Sequence, residues 1–202
     1  MPNDTTGLDR MKKVFIGVLV SAIFVQSPGE TLSQVFPVDL ESLKKERSYW
    51  LNPESMEVYD GAVYKMEEGE IVFKGHLRNG LFHGRYEEYH PKVDSLGSRG
   101  YERGTYEEGH REGGFEVYES VGKLSEKGRY LRGVRHGPYL AYHDNMSLWI
   151  KTEYIEGRWE GPYESFDRNG KLVAKGRYKK NLQCGLWIQE GKMVEYPSCQ
   201  SS

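Results

Sequence analysis

Strand-forming residues between Gly161 and Tyr178 fall into two short runs separated by Asn169-Gly170. Successive side chains of a strand point to opposite faces. Asn-Gly between two such runs signals a two-residue hairpin turn, because both central residues need a positive φ. Counting outward from that turn, Phe166 faces Val173, Ser165 faces Ala174, Glu164 faces Lys175, Tyr163 faces Gly176 and Gly161 faces Tyr178. Tyr163, Leu172, Ala174 and Tyr178 then share one face, with Glu164, Phe166, Lys175 and Arg177 on the other. Each tyrosine lies opposite a glycine, whose bare backbone a ring can cover. Gly161→Val should therefore put a branched side chain into the space of the Tyr178 ring.

The hairpin unit repeats. The glycine that opens its first strand recurs as Gly84, Gly113, Gly137, Gly161 and Gly185, at intervals of 29, 24, 24 and 24 residues. An aromatic residue two places later recurs as Tyr86, Phe115, Tyr139, Tyr163 and Trp187. The second strand recurs in step, as Gly75-His76-Leu77, Gly104-Thr105-Tyr106, Gly128-Arg129-Tyr130, Thr152-Glu153-Tyr154 and Gly176-Arg177-Tyr178. Such a period marks a repeat architecture. The long first interval is explained by an enlarged hairpin loop over Pro91–Leu96. Links such as Gly80–Gly84 and Gly133–Gly137 are short, so successive hairpins should be neighbours in space. The expected fold is all-β, an elongated single-layer antiparallel sheet of consecutive β-hairpins with an aromatic-lined groove on one face.

The pattern Gly-x-Tyr-x-x-Gly, a short link, then Gly-x-aromatic-x-x-aromatic resembles the MORN repeat, in the variant form common in bacterial proteins. The resemblance covers residues 58–196, best from Gly128 to Phe166 and degenerate over Asp60–Phe73 and Glu190–Tyr196. It implies a single-layered antiparallel sheet and a role in contacts with proteins or lipids. Some bacterial relatives are labelled antitoxins of toxin–antitoxin pairs.

Composition agrees with a thin core. Apolar residues make up 37% of the 202, aromatics 13%, and glycines number 24, which suits strands and tight turns. A formal net charge of −2 gives no global basic field, so nucleic acid is not an expected partner. Met11-Lys12-Lys13, the apolar run Val14–Val25 and Gln26-Ser27-Pro28-Gly29 have the form of a secretory signal peptide. The run is too short for a bilayer span of about twenty residues. Cleavage after Ala22 or after Gly29 both fit, and the mature chain is expected to be exported, to the periplasm or beyond the cell. The organisation read from the sequence is an upstream extension and signal peptide over 1–29, a linker or N-terminal cap over 30–57, the repeat domain over 58–197 and a tail over 198–202. Asp39–Arg47 could form a two-turn helix with Asp39 as N-cap and Leu40 and Leu43 on one side.

Candidate chemistry is sparse. His83, His136 and Cys184 share one repeat position, just before the first-strand glycine. Two repeats separate His83 from His136, hence about 20 Å at two strands per repeat, far beyond the reach of one zinc ion. Link residues that hydrogen-bond the turn are the plainer reading. Glu116–Lys127 and Glu164–Lys175 are cross-strand pairs and need no acid–base role. No nucleophile elbow, phosphate loop or zinc-protease motif occurs, so no catalytic residue, metal or cofactor is expected. Cys184 and Cys199 suit a disulfide in an exported chain: a turn at Gly191-Lys192 would place them face to face, whereas one at Glu190-Gly191 would miss that register by two.

A one-layer sheet cannot bury both faces. The aromatic face, carrying Tyr86, Tyr106, Phe115, Tyr130, Tyr139, Tyr154, Tyr163 and Tyr178, is thus expected to stay partly exposed and to be the binding surface. The leading expectation is a non-catalytic module for protein–protein interaction, its partner another protein or a second copy of the chain. Glycan or lipid head-group binding, and an antitoxin-like role, are the alternatives.

Overall fold

The computed structural model of the protein describes residues 36–91 and 99–200. The expected signal peptide, and the greater part of the enlarged loop after Pro91, lie outside the described residues. From Gly61 onward the chain forms six consecutive hairpins. They pair Gly61–Glu67 with Glu70–Arg78, Gly84–Tyr89 with Tyr101–Glu107 and Gly113–Tyr118 with Leu124–Leu131. Gly137–Tyr142 then pairs with Leu148–Ile155, Gly161–Phe166 with Leu172–Lys179, and Leu182–Gln189 with Lys192–Glu195. Neighbouring hairpins pair as well, through Lys74 and Glu87, Arg103 and Glu116, Lys127 and Leu140, Lys151 and Glu164, and Lys175 and Ile188. The result is one long antiparallel sheet of consecutive hairpins, as the 24-residue lattice requires.

The turns differ from expectation in an instructive way. Asn169-Gly170 is not a two-residue turn. Asp167 N–H donates to the Lys171 carbonyl at 2.9 Å, closing a loop of three residues in which Gly170 alone has a positive φ, 79°. The Asp167 carboxylate accepts from the Asn169 and Lys171 amides, both at 2.9 Å, an arrangement that suits a type I turn. A three-residue loop shifts the register by one, and a bulge at once shifts it back: Phe166 faces Leu172, Val173 is the extra residue, and Ser165 faces Ala174. Leu172 therefore sits opposite Phe166, off the Tyr163 face where alternation had put it. The same compensation recurs at Tyr118 with Leu124 and at Tyr142 with Leu148.

Tight turns with two positive φ values close the first and last hairpins, at Glu68-Gly69 and Glu190-Gly191, and also occupy the links. Asn79-Gly80, Arg132-Gly133 and Glu156-Gly157 have φ of 50° and 70°, 50° and 81°, and 50° and 75°. Only the first of these has the Asn-Gly signature. At the others a non-glycine residue holds a left-handed conformation, a local cost of about 1 kcal/mol or more. Stacking between turns offsets it. The Gly109, Gly133 and Gly157 amides donate to the carbonyls of Phe82, Arg111 and Arg135 at 2.8–2.9 Å. Carboxylates of Asp60, Glu112 and Glu160 accept from the Asn79, Arg132 and Lys180 amides. Each link among the first five hairpins is thus a hairpin turn, two strand residues such as Val134–Arg135, one further residue and then a glycine such as Gly137 at φ 84°.

The rings cover the glycines as the pattern demands. A Cβ at Gly104 would lie 2.9 Å from the Tyr86 ring and one at Gly128 would lie 2.8 Å from Phe115. At Gly176 the covering ring is Trp187, 2.1 Å from such a Cβ, in place of the cross-strand neighbour Tyr163. Gly161 has no ring near it: a Cβ there would meet only the Glu153 carboxylate, at 3.7 Å. The expected clash with Tyr178 is absent, and what Gly161 supplies is its φ of 87°.

At the start of the sheet, Val38–Asp39 lies parallel to Gly61–Glu67 and occupies that edge. The expected two-turn helix is a single 3-10 turn, Leu40–Ser42, capped by Asp39, whose carboxylate accepts from the Glu41 amide at 3.0 Å. Lys44–Glu46 continues as a strand paired with Tyr49–Leu51. Leu40 is buried and Leu43 packs on the same cluster, so the pair faces the core as a helix would have placed it.

At the far end, Cys184 and Cys199 are joined by a disulfide. The register is not the one counted in the sequence. The last turn is Glu190-Gly191, with Gln189 opposite Lys192 and Trp187 opposite Val194. Pro197 breaks the strand, and its carbonyl accepts from the Gly185 amide at 2.8 Å. The chain beyond it thereby returns to Cys184.

Two stability measurements test this packing. Gly176→Ala should cost about 2–4 kcal/mol in urea unfolding, since the Trp187 ring must be displaced. Gly170→Ala, with open space around it, should cost only about 1 kcal/mol from its positive φ. Equal costs would contradict the ring-on-glycine arrangement. The disulfide closes a sequence separation of 15, so Cys199→Ser should lower stability by about 3 kcal/mol. The same loss should follow reduction of the wild type.

Candidate binding faces

The eight residues expected to form a binding surface do share one face by register. That face is not the open groove expected of it. Tyr86, Phe115, Tyr130 and Tyr139 are 2–9% exposed, and Tyr106, Tyr154, Tyr163 and Tyr178 are half-buried. Rings meet along the column, tilted for Tyr86 and Tyr106 with centroids 4.8 Å apart and edge to face for Tyr139 and Tyr154 at 5.2 Å. The cover comes from the links. Phe82, Arg111, Arg135 and Trp159 pair with Leu77, Tyr106, Tyr130 and Tyr154 and lie over the rings. All four lie in the short links between hairpins. The signal that could have found them is their constant place, two residues after each turn glycine.

Charge is part of this cover. The Arg111 guanidinium lies 5.3 Å from the Tyr86 ring centre and 5.5 Å from that of Tyr130. It pairs with Glu88 and, at 3.2 Å, with the buried Glu102. The Tyr86 hydroxyl donates to Glu102 at 2.5 Å. Burial, then this hydrogen bond, pushes the Tyr86 hydroxyl far above its ordinary pKa. Burial opposes the charge on Arg111, but hydrogen bonding to Tyr106 and the negative charge of Glu102 and Glu88 outweigh it and raise its pKa. Arg135 repeats the theme, 5.1 Å from the Phe115 ring and 3.1 Å from Glu126. Cation–π contacts of this partly desolvated kind contribute about 1–2 kcal/mol each. Tyr86 is thereby kept protonated, and Arg111 and Arg135 charged, near neutral pH.

On the opposite face a row of side chains crosses the sheet strand by strand. In spatial order it reads Lys74, Glu87, Arg103, Glu116, Lys127, Leu140, and continues with Lys151, Glu164 and Lys175. Ion pairs link Lys74 to Glu87 at 3.5 Å, Arg103 to Glu116 at 2.6 Å and Lys175 to Glu164 at 2.9 Å. Hydrogen bonding to Arg103 holds the Glu116 carboxyl below its ordinary range. Arg129 and Arg177 stand exposed one rung nearer the turns on the same face. Individually such exposed pairs contribute little to stability; collectively they define a regular, water-facing surface.

No cluster of His, Cys, Asp and Glu among the described residues could hold a metal ion. The His83 and His136 amides instead donate to the carbonyls of His76 and Arg129 at 2.9 Å. Near the N-terminal end, an open groove of about 790 Å³ is lined by Trp50, Phe73, Phe82 and Tyr106 together with Glu88 and Arg99.

No family model matches the chain, and no curated protein matches it. Among solved structures it is similar to a GtfA/B complex bound to UDP and GlcNAc, at 10% identity and a TM-score of 0.20, over 85% of this chain and 28% of that one. The chain thus spans little more than a quarter of that protein's length, and so low a score carries no argument about fold or function.

The charged core makes a sharp prediction. Arg111→Met leaves Glu102 buried beside fewer donors and should cost about 3–5 kcal/mol. Adding Glu102→Gln should recover much of that loss in a double-mutant cycle. Additive losses would show that the two side chains act independently.

Proposed function

We propose that the chain is a non-catalytic repeat module that binds a partner protein through the charged face of its sheet. The observation that carries this reading is the division of labour between the faces. The aromatic column is enclosed by Phe82, Arg111, Arg135 and Trp159, whereas Lys127, Arg129, Lys151, Lys175 and Arg177 are exposed. Regular charge of both signs gives specificity and register in protein contacts. The resemblance to MORN repeats supports a contact role, and the face chosen moves from the tyrosines to the lysines and arginines. The basic start and apolar run at Met11–Val25, together with the Cys184–Cys199 disulfide, support an exported setting. They fit neutralisation of a cytosolic toxin less well.

Photo-crosslinking in intact cells tests the reading. A benzophenone amino acid at Arg129 or Arg177 should give a discrete adduct, with a partner or with a second copy. The same group at Phe82 or Trp159 should give none. Adducts confined to Phe82 and Trp159 would overturn the choice of face. A second readout is charge reversal: Arg129→Glu with Arg177→Glu should weaken capture of the crosslinked partner about tenfold, with salt-dependent association.

A further inference from the structure

The row across the charged face alternates in sign except at one place. From Lys74 to Lys127 each charge faces its opposite, and the same holds from Lys151 to Lys175. Between the two stretches stands Leu140, opposite Lys127 on one side and Lys151 on the other. The acids that face these lysines across the strands are already engaged. Glu116 accepts from Nε and from the terminal nitrogen of Arg103, at 2.8 and 2.6 Å, and Glu164 pairs with Lys175 at 2.9 Å. Lys127 instead points its ammonium over the Tyr142 ring, 5.9 Å from the centre. Lys151 has no ion pair among the described residues. Both lysines are exposed and Leu140 is half-buried.

We propose that the gap at Leu140 is the docking point for a carboxylate side chain of the partner protein, gripped by Lys127 and Lys151. The inference rests on the charged face being the binding face and specifies where on it the contact is centred. Strands are about 4.8 Å apart, so the two lysines stand about 10 Å from one another, astride Leu140. Their long stems can bring both ammonium groups onto one carboxylate, while Leu140 receives its methylene groups. The next acids outward, Glu116 and Glu164, argue for a protein and against a uniformly anionic surface. A lipid bilayer or polyphosphate would press negative charge on both. A partner that matches has an acid at the centre and bases on either side. In a helix laid across the strands, residues seven apart are separated by about 10.5 Å, close to the distance from Leu140 to either glutamate.

The test uses the full chain and a 15-residue alanine-based helical peptide with one central glutamate and lysines seven residues to either side. A second peptide has the charges exchanged. Amide chemical shifts in nuclear magnetic resonance report binding. The first peptide should move the Lys127, Leu140 and Lys151 amides, and the exchanged peptide should not. Leu140→Glu places the missing acid in the row, so it should abolish those shifts without lowering the melting temperature. Lys127→Gln with Lys151→Gln should weaken the first peptide about tenfold and keep the fold. Equal response to both peptides, unchanged binding to the Leu140→Glu variant, or no shift at these amides would overturn the proposal. Binding of phosphatidylglycerol vesicles without the peptide would overturn it in favour of a membrane. If the peptide fails while crosslinks from Arg129 persist, only the docking point falls; if those crosslinks fail too, the face falls with it.

Discussion

Rings laid over glycines of the neighbouring strand hold this sheet together. A one-layer sheet has no second layer to cover its backbone, so the cover must come from its own side chains. Tyr86 over Gly104, Phe115 over Gly128 and Trp187 over Gly176 supply it. Full burial of one such side chain contributes about 1.5–3 kcal/mol, and the glycine is what lets the ring come down onto the backbone. The lattice explains why the repeat length is so regular. Inserting one residue in a strand would turn the aromatic column to the other face. Insertion is tolerated only in loops, as between Tyr89 and Tyr101, or where a bulge restores the register, as at Val173.

Position 152 shows how the lattice absorbs an exception. Thr152 stands where the other repeats have glycine, opposite Tyr139, and is itself buried. The Tyr139 ring lies against the neighbouring repeat, 3.4 Å from a Cβ built on Gly128, which also lies under Phe115. The Thr152 hydroxyl, which would otherwise be unpaired beneath the rings, donates to the Pro162 carbonyl at 3.1 Å. One glycine thus serves two rings, and a hydrogen bond satisfies the polar atom that the substitution brought in.

Much of this was legible in the sequence, for physical reasons that also mark its limits. Hairpin existence, pairing partners and face assignment follow from period and alternation, and Tyr163 opposite Gly176 or Glu164 opposite Lys175 emerged directly. Turn type did not. Asn169-Gly170 and Asn79-Gly80 are the same dipeptide, yet the first ends a three-residue loop and the second is a two-residue turn. What separates them is Asp167 on one side and the stacked turns on the other, neither of which the dipeptide contains. Burial was also hidden. Arg111 and Arg135 lie in segments rich in glycine and charge, which read as loops, and only pairing with Tyr106 and Tyr130 turns them inward over the rings. The Cys184–Cys199 bond likewise depends on Pro197 bending the chain, which a register count carried straight on cannot foresee.

The same constraint shapes what the protein can present to a partner. Side chains on the aromatic face are bound to the glycine lattice, so changing one alters the fold and the surface together. Side chains on the charged face meet one another in ion pairs that add little stability, and Lys74, Arg103 and Lys127 lie over the rings of Tyr89, Tyr118 and Tyr142. They can vary in sign and position without disturbing the sheet. A row in which most charges answer one another, with Leu140 standing between two lysines, is accordingly a surface whose specificity is set independently of its fold. Each rung repels a wrong partner as readily as it attracts a right one, which is how mixed charge discriminates. The repeat supplies the ruler, about 4.8 Å per strand. The departure from the repeat supplies the mark on it.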